Sequence, residues 1–305
     1  MKEYEKTSKN NEELADLLMG RGLVADRSAL LRVLETVGYY RFSGYLVPFR
    51  DRDSENYRTG TKLDEVWGIY MFDRHLRLLT MDALARIEIA IRALITRCHA
   101  EENPDPFSYT VAANMPKFSS GKHGELLAHI RSAVKKAAAS PAVRHLREEY
   151  GIEDYPPVWM MMELVPMGTV TSYYHGLSDS VQKHVADVFH VRPNVFGQWL
   201  MALKTVRNIC AHHSRLWNAH IVVPFSRKIG RAPELAAMEE CVVAQQAANY
   251  TTAFTALSLI AYCIGVIRPE SQWRVRAKSL FATATPFVLN GMGFPADWQM
   301  LALWK

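Results

Sequence analysis

The chain has 305 residues, of which 49% are hydrophobic and 22% charged, with a formal net charge of +5. This composition excludes a disordered or low-complexity protein and supports a sizeable hydrophobic core, in one large or two modest units. The mild positive balance permits an acidic partner such as nucleic acid without requiring one.

Helical periodicity runs from the N-terminus onward. Leu14, Leu17 and Leu18 mark a short first helix stopped by Gly20 and Gly22. Asp26 or Ser28 caps a second helix carrying Leu30, Leu31, Leu34 and Val37. The next stretch, GYYRFSGYLVPFRDRDSENYRTGT, is dense in aromatics, glycine and turn formers, and reads as an ordered connector with short extended pieces. Its Tyr39, Tyr40, Arg41, Phe42 and Tyr45 interleave rings and charge as single-strand-binding surfaces do. Tyrosines beside a long helix more often pack with a hydrogen-bonded tip, and packing is the expectation here.

The longest helical signal spans Asp64 to about His99, with Val66, Ile69, Leu76, Leu79, Ala83, Ile87, Ile91 and Leu94 at three- and four-residue steps. Arg74, Arg77, Glu88 and Arg92 fall on one flank of it. That flank fits a solvated, salt-bridged face and equally a set of polar groups facing an active site. Asn103–Phe107 (NPDPF) ends the helix, and loop follows to about Gly121. From there to Tyr150 the sequence is basic and alanine-rich. Its Arg131, Lys135 and Lys136 could face phosphate, though a solvated helix face is the plainer reading. Pro156-Pro157 opens an apolar, methionine-rich stretch in which Pro166 and Gly168 imply a break, and Met160–Met162 are candidate interface residues. Arg192-Pro193 starts a further helix. Linker-like residues run from Pro224 to Pro233, before a long apolar helix and a tail with Trp273, Phe281, Trp298 and Trp304.

No charged residue occurs between Cys241 and Ile267, but Gln245, Gln246, Asn249, Thr251, Thr252, Thr255 and Ser258 punctuate the segment. The amides are costly against lipid, so a helix buried in a bundle is expected rather than a membrane span. Cys98, Cys210, Cys241 and Cys263 form no Cys-x-x-Cys pair, which argues against a zinc ribbon or redox motif. The charged start lacks an apolar signal core, so a reduced cytoplasm is the expected location.

The densest chemistry lies in WLMALKTVRNICAHHSRLWN. Taking Val195 to Trp217 as one helix at ~100° per residue, Trp199, Leu203, Val206, Cys210 and Trp217 make the core stripe. Lys204, Asn208, His212 and Arg215 gather opposite, with Arg207 at their edge, while His213 falls toward the core and reads as packed. Histidine moves protons at neutral pH, and the always-charged arginine fork matches a phosphate. Together they suit attack by a ribose 2′-hydroxyl on the adjacent phosphate, with His212 as general acid or base and Arg207 stabilising the charge on the phosphorus oxygens. Asn208 can orient the histidine or hold helices together. One histidine supplies one proton transfer, and a symmetric dimer would supply the second. No His-x3-His, His-Glu-x-x-His or Gly-x-Ser-x-Gly pattern occurs, so neither a metal site, nor a cofactor, nor an α/β-hydrolase site is expected.

Four ordered blocks carry a family resemblance: GLVADRSALLRVLETVGYYRFSGYLVPF, GTKLDEVWGIYMFDRHLRLLTMDALARIEIAIR, PPVWMMMELVPMGTVTSYY and VRNICAHHSRLWN. Together they resemble the Abi family of bacterial abortive-infection proteins, the AbiD/AbiF-like group, which is similar to the HEPN superfamily of Arg-x4-6-His ribonucleases. The resemblance implies an all-α, multi-helix HEPN-like bundle with additional helices. It further implies a homodimer with a composite site and a role in phage defence or toxin–antitoxin growth arrest. The partners it implies are RNA, as substrate and as a regulatory non-coding RNA, and an antitoxin. By motif, Arg207, Asn208 and His212 match the catalytic signature. Asp73, Arg74, Arg77 and Glu88 match polar positions on the preceding long helix, and Lys204 and Arg215 join them as RNA-binding or supporting residues. The expected organisation is N-terminal helices and connector over residues 1–60, a HEPN-like core over 61–230, and C-terminal helices over 231–305 packed on that core. The alternative reading is a non-catalytic RNA-binding defence component that holds a guide or antitoxin RNA.

Overall fold

The computed structural model describes residues 7–222, 233–244 and 252–305. Among the described residues are fourteen α-helices and no strand, and extended pairing is confined to two isolated bridges, Val24 with Lys62 and Arg50 with Tyr57. The all-α expectation therefore holds. The chain divides into two units, Met1–His75 and Leu76–Lys305, and the division falls inside one long helix.

The first unit contains α1 (Asn11–Gly20), α2 (Arg27–Thr36), α3 (Tyr39–Leu46) and the opening turns of α4 (Leu63–Glu102). A capping box starts α1: Asn10 accepts from the Glu13 backbone N–H while the Glu13 carboxylate accepts from that of Asn10. Asp26, not Ser28, caps α2, accepting the Ala29 N–H at 2.8 Å. The aromatic stretch is helical through Leu46, which corrects the connector reading. Gly38 adopts φ +83°, a region disfavoured for any residue with a Cβ, so the chain turns sharply and α3 begins at once. From there Phe42, Tyr45, Leu46 and Phe49 keep helical spacing and are buried. Tyr45 donates its hydroxyl proton to Asp73 at 2.5 Å, as the packing expectation required, whereas Tyr40 remains 93% exposed.

The second unit begins within α4 and continues with α5 (Ser120–Lys136), α6 (Pro141–Tyr150), α7 (Val158–Leu164), α8 (Met167–Gly176), α9 (Asp179–Val188) and α10 (Pro193–Ala211). It ends with α11 (Pro233–Val243), α12 (Ala253–Ile267), α13 (Trp273–Ala282) and α14 (Pro286–Gly291). The break predicted at Pro166 separates α7 from α8. The segment read as one long apolar helix is instead α11 followed by α12, which pack together; Gln245, Gln246, Asn249 and Thr251 lie outside the described residues. No described helix is long and apolar enough to cross a membrane.

α10 is the axis of this unit, packed against α8, α9 and α12. Its inner face buries Phe196, Trp199, Leu200, Leu203 and Val206. At the C-terminal end, Phe254, Phe281, Phe294, Trp298 and Trp304 form an aromatic cluster with neighbouring ring centroids 4.5–6.0 Å apart. Trp304 donates its indole N–H to Ser258 at 3.1 Å, which satisfies the polar edge of a fully buried ring. Trp273 donates to the Leu79 carbonyl at 2.8 Å, fastening α13 to α4.

Candidate functional site

The site is assembled where α4, the α7–α8 break and α10 meet. Pro166 cannot continue α7, so the carbonyls of Met162 and Val165 at the end of that helix need partners from elsewhere. Arg92, with only 9% of its side chain exposed, supplies them: one terminal nitrogen donates to the Met162 carbonyl and, at 2.8 Å, to that of Val165. Its other terminal nitrogen pairs with Glu88 one turn earlier on α4. The second oxygen of Glu88 lies 3.5 Å from Nε of Arg207 on α10. One carboxylate thus stands between two guanidinium groups, and the trio carries one net positive charge.

Arg207 is half-buried, with 34% of its side chain exposed, while Glu88 is only 16% exposed. Its Nε is shielded from solvent and forms the ion pair without a hydrogen bond. A narrow cleft beside the pair is walled by Leu84, Ile87, Met167 and Leu203. Hydrophobic walls around a charged pair lower the local dielectric and strengthen the hold of Glu88 on the arginine. Glu88 therefore fixes the root of the fork and leaves its rim toward solvent.

Downstream, the structure departs from the helix assumed in the sequence reading. α10 stops at Ala211, and His212 is its C-cap. The Ser214 N–H donates to the Ile209 carbonyl at 2.9 Å and the His213 N–H to that of Cys210 at 3.1 Å. Those two bonds, with His213 at φ +55°, form a Schellman motif. The ~100° phase stops there, so His213 is exposed instead of packed, which corrects that expectation. Trp217 is buried by a different route, donating its indole N–H to the Val288 carbonyl at 3.0 Å. His212 is exposed at the end of the helix that carries Arg207.

The remaining predicted residues differ in burial. Asn208 is exposed on the outer face of α10, and its carbonyl accepts the His212 N–H at 2.9 Å. Lys204 is half-buried with its ammonium 3.6 Å from the Met201 sulfur, and Arg215 is half-buried beyond the helix. Asp73 and Arg77 are buried, Asp73 completely. Arg74 is exposed. Of the nine predicted positions, Glu88 and Arg207 pair with each other across α4 and α10.

Two residues outside the nine predicted positions adjoin the ion-pair network and the motif helix. Arg92 was placed on the polar flank but not among the site residues; its signal was the four-residue spacing from Glu88. The other is His175 on α8, whose ring lies across Gly197 of α10 so closely that a Cβ there would come within 2.7 Å of it. Gly197, Met201, Lys204 and Asn208 recur at helical spacing, so His175 joins the outer stripe of the motif helix. The residue is exposed, yet local desolvation of the ring, and then the nearby cations Lys117 and Lys204, hold its pKa below the ordinary histidine value. Among the described residues, no group of three or more His, Cys, Asp or Glu side chains comes together as a metal site would require.

A search of curated proteins and a search of solved structures each returned no match. The family model described as Abi-like protein matches residues 32–218, more than half of the chain. Its span runs from within α2 through the whole Arg92–Glu88–Arg207 network and past the Schellman turn to Asn218. By that match the chain belongs to the Abi-like protein family.

Proposed function

We propose that this protein is a metal-independent endoribonuclease of the HEPN type, serving as an abortive-infection effector in phage defence or as the toxin of a toxin–antitoxin pair. The observation that carries the reading is the unequal treatment of two residues on one helix. Arg207 is anchored at its root by Glu88 in a partly dry cleft, and His212 is exposed at the cap where the helix ends. An anchored cation and an exposed proton carrier are what cleavage by an internal nucleophile needs.

In this reading, RNA lies over the exposed end of α10. The 2′-hydroxyl oxygen forms a bond to the adjacent phosphorus while the bond to the 5′-oxygen of the next nucleotide breaks. The products are a 2′,3′-cyclic phosphate and a free 5′-hydroxyl. Arg207 stabilises the charge gathering on the non-bridging oxygens. His212 either takes the 2′-hydroxyl proton or protonates the departing 5′-oxygen, and His212 of a second copy in a symmetric dimer performs the other transfer. Asn208 and Lys204, on the outer stripe, contact the strand, and an antitoxin covering that stripe would silence the enzyme.

The test is induced expression of the wild type beside His212→Ala, with cellular RNA mapped for 2′,3′-cyclic phosphate ends. Growth arrest and new ends in the wild type alone support the reading. Equal arrest from both chains without new ends refutes cleavage and leaves a non-catalytic RNA-binding component.

A further inference from the structure

α5 carries a second basic feature, remote in sequence from the Arg207 helix. His123, Leu126, Ile130, Ala133 and Val134 recur at helical spacing and are buried, packing α5 against α7 and α8. The same period turns Ala128, Arg131, Ser132, Lys135 and Lys136 outward, and these five line an open concavity of about 400 Å³. No carboxylate is among its lining residues.

The three cations are not equivalent. Arg131 is held in place: its guanidinium lies 5.2 Å from the Tyr155 ring centroid, donates to the Tyr155 hydroxyl at 2.7 Å and pairs with Asp154 at 3.0 Å. This fixes one wall of the groove, and Asp154 offsets its charge. Lys135 and Lys136 are exposed and form no ion pair among the described residues, so the groove keeps a net positive charge. Arg131 and Lys135 stand one turn apart, about 6 Å along the axis. That matches the distance between successive phosphates of an extended strand.

We propose that this groove is a phosphate-backbone contact for RNA, an exosite separate from Arg207 and His212. The proposal rests on the RNA reading above. The groove is open and lined by cations and a hydroxyl, with no ring among its lining residues and the Tyr155 ring engaged by Arg131, so it reads backbone charge and not base identity. It therefore adds affinity without adding sequence preference, and its ligand is a polynucleotide rather than a free nucleotide, for which it offers no enclosing base pocket.

The test measures binding of a fluorescent 20-nucleotide oligouridylate to the full chain carrying His212→Ala, which prevents turnover during titration. The same chain with Lys135→Ala and Lys136→Ala is compared across a salt series, with circular dichroism confirming equal helicity. Loss of two contacts lowers affinity about tenfold at moderate salt and reduces the slope of log affinity against log salt by about 1.4, taking ~0.7 per phosphate for a single strand. Equal affinity and equal slope for the two chains overturn the exosite and leave the RNA reading standing. Failure of the parent chain to bind the oligomer at any salt overturns the RNA reading itself. Tighter binding of polyglutamate than of RNA of equal charge reassigns the groove to an acidic protein and overturns the proposal.

Discussion

Replacing Glu88 with glutamine tests whether this carboxylate positions Arg207. The substitution keeps the shape and one acceptor but removes the charge between Arg92 and Arg207. Removing one partner of a buried pair costs about 3–5 kcal/mol, because the other charge is left uncompensated. Here the cost is smaller on two counts. Arg92 keeps the Met162 and Val165 carbonyls, and Arg207 is one-third exposed and partly screened by water. About 2 kcal/mol remains, which lowers the melting temperature of a unit this size by about 4–8 °C. The functional loss is separable from that cost. Under the proposed ribonuclease activity, the released Arg207 samples orientations away from the substrate phosphate, and cleavage measured by cyclic-phosphate ends on the folded variant falls about ten- to a hundredfold. Differential scanning calorimetry gives the first quantity, and the cleavage assay well below the melting point gives the second. A variant that melts within about 1 °C of wild type and cleaves normally refutes the positioning argument, because both consequences follow from one ion pair.

Two other outcomes follow from the geometry. His213 occupies the left-handed position of the Schellman turn, where a Cβ costs about 1 kcal/mol, so His213→Gly should raise the melting temperature by about 2–4 °C and leave cleavage unchanged; a destabilised His213→Gly protein contradicts the turn assignment. His99 is fully buried with Nε2 2.8 Å from the Ser108 hydroxyl, and burial holds its pKa below the ordinary histidine value. The unfolded chain then binds more protons than the folded one as pH drops below about 6.5. The stability from neutral His99 is thus present above that pH and lost toward the depressed folded pKa, at up to ~1.4 kcal/mol per pH unit. Denaturant titrations of wild type and His99→Gln between pH 7.5 and 5.5 should show the steeper fall in wild type, and parallel curves contradict it.

Much of this protein was legible in its residues because its signals are local. The four-residue steps from Val66 to Leu94 are enough to specify α4, and Pro166 alone breaks α7 from α8. The buried stripe of Trp199, Leu203, Val206 and Cys210 followed from period alone, since a helix with one apolar side has one way to hide it. The aromatic stretch was harder, because Gly38, Gly44 and Pro48 obscured the helical spacing of Phe42, Tyr45 and Leu46.

The candidate site shows where local reasoning ends. Sequence placed Arg207, Asn208 and His212 on one helix and Glu88 on another, with the residue types that the proposed RNA cleavage calls for. It could not pair Glu88 with Arg207, because that contact spans more than a hundred residues and depends on how α4 and α10 pack. Nor could it end α10 at Ala211: no glycine or proline marks the stop, and only the backbone bonds from His213 and Ser214 show that the phase is lost. The position of His175 over Gly197 is likewise set by packing between helices. The sequence determined which helices form and which faces they bury, since propensity and period act over a few residues. The tertiary structure decided which charges meet, which carbonyls Arg92 satisfies and which histidine is left in water, because those outcomes depend on distances between segments that no local pattern encodes.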